Sequence, residues 1–483
     1  MLMRDTAASL IDSTATDLAR RIRHREVSAV EVLEAHLDRI ERWNPAVNAV
    51  VTLRAEAALQ RARAADAALR AEGPWGPLHG VPITVKDQFN TADMPTSHGL
   101  PRRLHATPDH DAPTVARLRA AGAILVGKTN LPLLAYDWQS DHPAFGRANN
   151  PWDLRRTPGG SSGGSAAALA ARFVPLELGA DVGGSIRLPA HFCGVYGLRP
   201  TEHALPTRGI TRPGSPRTVR HIVVTGPMAR SVEDLELAFH VLSRTDAPTA
   251  PLSDRRPDPS TLRVAVTPSL GPVAADADTR RTLDALSASL EQAGVTVQEV
   301  TPPVDLDAAL DTWALIQGYE LTAGLPRPIR NTPLRELVWR GYVRREYGFL
   351  ADRMVRGARL DARGYFAALN RKEDLSLQMD DFFADVDAWI TPVAARPAFA
   401  HCPAGTDLSV DGRTVPYAAP FAHHLCATAV TGQPVVALPA GRSADGLPIG
   451  VQVHGRRGRD AALLHVAATL DALHDVDAGD RPF

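Results

Sequence analysis

Residues 81–87 read Val-Pro-Ile-Thr-Val-Lys-Asp, and residues 123–128 read Ala-Ile-Leu-Val-Gly-Lys. Each is a short apolar run, and a helix-patterned stretch at 112–121 lies between them. Buried strands joined by a helix are the unit of a parallel sheet, so this stretch predicts an α/β fold. The pattern recurs downstream: strands at 262–267 and 295–300 flank a helix at 275–292. Late strands are expected at 388–393, 435–439 and 449–454, with a closing helix at 459–474. Upstream, 15–43 reads as one amphipathic helix capped by Thr16 or Asp17, and 52–71 as a second. Residues 231–243 and 305–380 read as helical, 73–82 and 149–165 as Gly/Pro-rich loops, and 244–260 as a surface linker.

The chain has 483 residues, enough for two domains or for one large α/β unit. Its 53 Lys and Arg nearly balance 54 Asp and Glu, which argues against a nucleic-acid partner. Three cysteines, Cys193, Cys402 and Cys426, are too few and too scattered for a disulfide framework or a zinc site. Cys193 reads as a small core residue. The first residues carry no secretory pattern, and no apolar run approaches the roughly 18 residues of a membrane span. The expectation is a cytoplasmic protein without a membrane anchor.

Three elements carry chemistry. Lys86 ends an apolar strand, where a lysine is costly unless it is paired or functional. Pairing with Asp87 is the plain alternative. Gly-Gly-Ser-Ser-Gly-Gly-Ser at 159–165 would pass for a linker, but it runs straight into an alanine-rich helix. It also matches G-x-S-x-G, yet no strand precedes it, which excludes a nucleophile elbow. Asp-Val-Gly-Gly-Ser-Ile-Arg at 181–187 follows an apolar run; its two glycines let successive N–H groups converge on one point, as in an oxyanion hole. A plain turn is the alternative. A serine needs a base, and a buried lysine whose pKa falls toward neutrality can replace histidine. Among the 17 histidines, His191 alone lies near Ser185 in sequence. Neither metal nor cofactor is required.

These elements occur in the order and spacing of the amidase signature family. The chain closely resembles that family from 79–87 through 157–166 to 179–201, and again at 149–153, 226–234, 431–439 and 446–455. The likeness is weakest from 244 to 385. It implies a single large fold over 1–483, with a central mixed β-sheet covered by helices on both faces. Within it lie a helical segment 1–72, a catalytic core 73–243, a variable substrate cover 244–385 and completing strands 386–483. It implies that Ser185 is the nucleophile. Ser161, after a cis peptide bond from Gly160, is the relay, and Lys86 is the base. The N–H groups of Val182, Gly183, Gly184 and Ser185 form the oxyanion hole, and Ser162, Asp181 and Arg187 support it. The reaction would pass through an acyl-enzyme that water hydrolyses.

The amidotransferase branch of the family usually carries Gln where this chain has Leu188. A stand-alone hydrolase is therefore favoured over the glutamine-hydrolysing component of a tRNA-dependent amidotransferase and over a catalytically silent scaffold. Residues 135–142 correspond to the family's acyl-pocket loop, which makes Tyr136, Trp138 and Gln139 candidate substrate contacts; packing of the loop itself is the equal alternative. Trp313, Tyr319, Trp339 and Tyr342 could line an apolar cleft, although aromatic residues at helical spacing more often belong to a core. Such a cleft suits aryl or alkyl amides, with carbamates and esters as related substrates. The N-terminal helices can pack on their own sheet or join two copies as a homodimer.

Overall fold

The computed structural model describes residues 8–211, 221–246, 250–323 and 348–474. Eleven strands form one sheet. They are β1 (Val50–Leu53), β2 (Pro82–Lys86), β3 (Ile124–Thr129), β4 (Leu176–Asp181), β5 (Tyr196–Arg199), β6 (Val224–Ala229), β7 (Arg263–Val266), β8 (Thr296–Glu299), β9 (Ala388–Pro392), β10 (Val435–Arg442) and β11 (Pro448–His454). Their order is β1-β3-β2-β4-β6-β5-β10-β11-β9-β7-β8. β2 runs parallel to β3 and β4, and β7 parallel to β8 and β9. The middle of the sheet is antiparallel, so the sheet is mixed, with parallel wings where helices separate successive strands. Every residue of β2, β3, β4, β6, β9 and β11 is buried. Side chains alternate between faces, so both faces of the sheet are covered.

Several places differ from the sequence expectation. The expected helix at 15–43 is two helices, Ala15–Arg23 and Ala29–Val47, broken by a turn in which Arg25 has φ 60°. Thr14 and Ser28 are the caps, and Ser28 with Glu31 forms a reciprocal capping box. Thr16 instead donates its N–H and hydroxyl to Asp234. The expected helix from 52 begins at Ala55, because Val50, Val51 and Thr52 form the edge strand β1 against β3. In the cover, helices Leu306–Ala323, Ala351–Ala358 and Ala362–Phe382 are present, while Trp339 and Tyr342 lie outside the described residues. The linker 244–260 includes two short 3-10 turns, Leu252–Arg255 and Pro259–Thr261.

Two apolar clusters flank the sheet. One holds the N-terminal helices and the helix Gly163–Ala170; the other gathers Trp138, Leu188, Phe192, Trp313, Trp389, Tyr417 and Phe421 under the cover helices. Parallel register pairs Thr84 with Glu177 and Val85 with Leu178. The C-terminal ends of β2 and β4 therefore lie side by side, as ligand sites of open α/β sheets require.

Candidate active site

Lys86 is the last residue of β2 and is fully buried. Asp87 follows on the strand, so its side chain points to the opposite face. There it meets Lys128 Nζ at 3.5 Å and the Ser97 hydroxyl, so the plain pairing of Lys86 with Asp87 does not form. Lys86 Nζ instead lies 2.7 Å from Ser161 Oγ and 3.0 Å from Ser162 Oγ. Burial lowers its pKa to about 7, against the pull of the Asp181 and Glu177 carboxylates. Gly160–Ser161 is a cis peptide bond, and the helix Gly163–Ala170 starts immediately after Ser162.

Ser185 sits in the turn between β4 and the helix Arg187–Cys193. Gly184 has φ +96°, and a Cβ there would collide with Leu425 at 2.4 Å, so only glycine fits. Asp181 organises the turn. Its carboxylate accepts the N–H of Gly184 at 2.9 Å and of Ile186 at 3.1 Å. It also takes two hydrogen bonds of 3.0 Å from the Arg187 guanidinium. Burial alone would raise the Asp181 carboxyl, but Arg187, with Arg199 and the Gly184 N–H, holds it far below the usual carboxylate range. Arg187 continues to Thr428 Oγ1 at 3.0 Å and Gln452 Oε1 at 2.6 Å, which ties the turn to β11. Ser162 N–H donates to the Ser185 carbonyl at 3.1 Å, joining the two serine loops.

The expected oxyanion set is thereby divided. The Gly184 N–H is committed to Asp181. The N–H groups of Val182, Gly183 and Ser185 have no acceptor among the described residues.

Ser161, Ser185, Val182 and Gly183 line one pocket that opens to solvent, together with Tyr136, Asp137, Trp138, Val223 and Trp313. Tyr136 donates its hydroxyl to Gln317 Oε1 at 3.3 Å. Gln139 is not on the lining: its amide is engaged by Tyr417 and by the Cys402 backbone, so it packs the loop. Tyr319 stacks on Tyr365, also away from the lining. Sequence reasoning missed Asp137, although it sits in the 135–142 loop. Burial pushes its carboxyl up to about 6, and the Tyr417 hydroxyl donates to it at 2.6 Å.

No histidine appears on the lining. His191 is buried elsewhere, with Nδ1 accepting Gly450 N–H at 2.7 Å and Nε2 3.1 Å from the Arg396 carbonyl, and burial lowers it to about 4. Cys193 is in the core. Among the described residues one metal-capable trio converges, Glu202, His203 and His221. Lys372 Nζ already stands 2.6 Å from Glu202 Oε2 there, filling the cation's place. No helix among the described residues is long and apolar enough to cross a membrane.

The chain is 35% identical to a glutamyl-tRNA(Gln) amidotransferase subunit of Acidothermus cellulolyticus, over 97% of this chain and 95% of that one. It is 33% identical to the same subunit of Coxiella burnetii, over 94% and 95%. A solved 6-aminohexanoate cyclic dimer hydrolase with bound substrate superposes with a TM-score of 0.80 at 29% identity, covering 98% of this chain and 99% of that one. The Amidase family model matches residues 31–464. With Lys86 bonded to Ser161, and Ser161 and Ser185 on one cavity, the chain belongs to the amidase family, the amidase signature enzymes.

Proposed function

We propose that this chain, from a family of amide C–N hydrolases, acts as a stand-alone amidase through a serine acyl-enzyme. Lys86, which titrates near pH 7, takes in its neutral form the proton of Ser161, and Ser161 takes that of Ser185. Ser185 Oγ then adds to the substrate carbonyl, and the N–H groups of Gly183 and Ser185, with Val182 beside them, receive the oxyanion. The relay hands the proton to the departing nitrogen as the C–N bond breaks. Water, deprotonated by the same relay, hydrolyses the ester left on Ser185. Ser162 steadies the Lys86 amine, and Asp181 with Arg187 holds the turn rigid.

One observation carries this reading: the fully buried Lys86 amine is hydrogen-bonded to Ser161 at 2.7 Å, while Asp87 and Asp181 pair with Lys128 and Arg187. Tyr136, Trp138 and Trp313 give the cavity aromatic walls, which supports aryl or alkyl amides as substrates. Carbamates and esters pass through the same kind of acyl-enzyme and are included.

The 35% identity to an amidotransferase subunit supports a second reading, hydrolysis of glutamine within a complex. Against it, that branch usually carries Gln where this chain has Leu188, which here is fully buried in apolar contacts. The test is a matched panel of an aryl amide, a primary amide, an aryl carbamate, an ester and glutamine, with wild type and Ser185→Ala. Serine-dependent cleavage of the amides supports the amidase. Cleavage of glutamine alone supports the amidotransferase reading, and no cleavage of any member overturns both.

A further inference from the structure

Four successive carbonyls around the nucleophile each have their own donor. Ser162 N–H holds the Ser185 carbonyl, and Leu188 N–H holds that of Gly184 at 2.8 Å. Both donors are local to the two serine loops. The other two are indoles: Trp138 Nε1 lies 3.0 Å from the Gly183 carbonyl, and Trp313 Nε1 lies 3.0 Å from that of Val182. In a trans peptide unit the N–H points opposite the C=O. The Val182 carbonyl and the Gly183 N–H belong to one such plane, so whatever fixes the carbonyl aims the N–H. The ring also leaves no room for a side chain at Gly183: a Cβ there would come within 3.1 Å of Trp313 Cζ2 and 2.9 Å of Cys426 Sγ.

We propose that Trp313 is a positioning residue for the oxyanion hole, its indole N–H holding the Val182–Gly183 peptide so that the Gly183 N–H meets the developing oxyanion. The inference rests on the assignment of Ser185 as nucleophile. Trp313 lies on the helix Leu306–Ala323, one turn from Gln317, the acceptor of the Tyr136 hydroxyl. The cover helix thereby enters catalysis: it roofs the cavity and sets one hydrogen-bond donor of the transition state. Trp138 does the equivalent for the next peptide, whose N–H goes to Asp181, and so keeps the turn from rotating.

Trp313 also lines the cavity, so a wall that contacts substrate is the competing role. Two variants separate them. Trp313→Phe removes the N–H and shortens the ring; replacement of Trp313 by 3-benzothienylalanine removes the N–H at constant shape. For each, the measurements are kcat, KM, affinity for an arylboronic acid that forms a tetrahedral adduct on Ser185, and affinity for the carboxylic acid product. Losing an oxyanion donor outright costs about 10²–10³ in kcat, and misaiming one is expected to cost about tenfold. The expected result is a loss of about tenfold in kcat and in boronate affinity, with KM and product affinity unchanged. Equal losses in product and boronate affinity would make Trp313 a wall and overturn the proposal. So would a benzothienyl variant with wild-type kcat and boronate affinity. Boronate affinity also needs no turnover: if it is the same in wild type and Ser185→Ala, the nucleophile assignment fails, and the clamp with it. If it depends on Ser185 but not on the indole N–H, the clamp alone fails.

Discussion

Lys86 and Lys128 are both fully buried, on adjacent parallel strands, yet their surroundings differ. Lys128 pairs in register with Val85, one residue before Lys86, and so shares a face with Val85 and Asp87. Its ammonium is saturated: the Phe89 carbonyl at 2.6 Å, Thr96 Oγ1 at 2.9 Å, Thr91 Oγ1 at 3.3 Å and Asp87 at 3.5 Å. Burial lowers it to about 8, opposed chiefly by Asp87. Lys86 touches two serine hydroxyls, each able to accept from an ammonium or donate to an amine, and its carboxylate neighbours act from beyond ion-pair distance. Burial alone therefore does not make a base. A base needs burial beside groups that tolerate both of its protonation states.

Substitutions sharpen that contrast, the largest effect being expected at the proposed nucleophile. Ser185→Ala is expected to lower kcat by about 10⁴–10⁶-fold, read by single-turnover acylation. Residual turnover near wild type would move the nucleophile elsewhere. Lys86→Ala should cost about 10²–10⁴ in kcat while the protein stays folded, because it removes a buried amine that need not be charged. Lys128→Met should act the other way. It leaves the Asp87 carboxylate buried without its cation, at a cost of about 3–5 kcal/mol in urea unfolding, while the folded fraction keeps near-wild-type kcat. If the two variants exchanged phenotypes, the division of roles between the two lysines would be wrong.

The parts of this division that lie within one segment were legible in the sequence. A lysine closing an apolar strand, a Gly-Ser loop abutting a helix and a Gly-Gly-Ser turn each have local causes. So do β2, β3 and the parallel pair β7–β8, because β-branched apolar runs separated by helices announce themselves. The break between the first two helices was legible too, in Ser28-Ala29-Val30-Glu31, a capping-box pattern lost inside a longer apolar stripe. The antiparallel middle of the sheet was not: β5 pairs with β10 across more than two hundred residues, and no local period encodes that partner. Nor was the destination of the Gly184 N–H, which depends on how Asp181 turns back on its own loop. Trp313 is 131 residues from the carbonyl it holds, so its spacing on a helix signalled a core residue or a cleft wall and nothing about a peptide plane.

The last effect is a pH dependence of stability, and it tests the Lys86 titration without catalysis. Unfolded, a lysine titrates near 10.4; folded, Lys86 titrates at about 7. Between these values the unfolded chain binds the proton and the folded one does not, so wild-type stability gains from rising pH across that window. Below about pH 7 both states are charged and the gain is absent. Glu177 and Asp137, raised by burial to about 7 and about 6, act oppositely at lower pH: the folded state holds their protons longer, and stability falls as pH rises toward those values. Glu177 attracts the Lys86 ammonium, so its titration differs between wild type and Lys86→Met near pH 7; above about pH 8 both carboxyls are ionised in either state and Lys128 is common to both proteins, so there the difference between the two urea-unfolding curves isolates Lys86. From pH 8 to 9.5 that difference should move in favour of wild type by up to about 1.4 kcal/mol per pH unit. The rate should rise through the same pH if, as proposed, the neutral amine is the base. A stability difference that stays flat from pH 8 to 9.5, beside a rate that still rises near pH 7, would assign the limb to another group. Glu177 would be that group: its strand lies beside β2, it titrates near the same pH, and Glu177→Gln would then shift the limb.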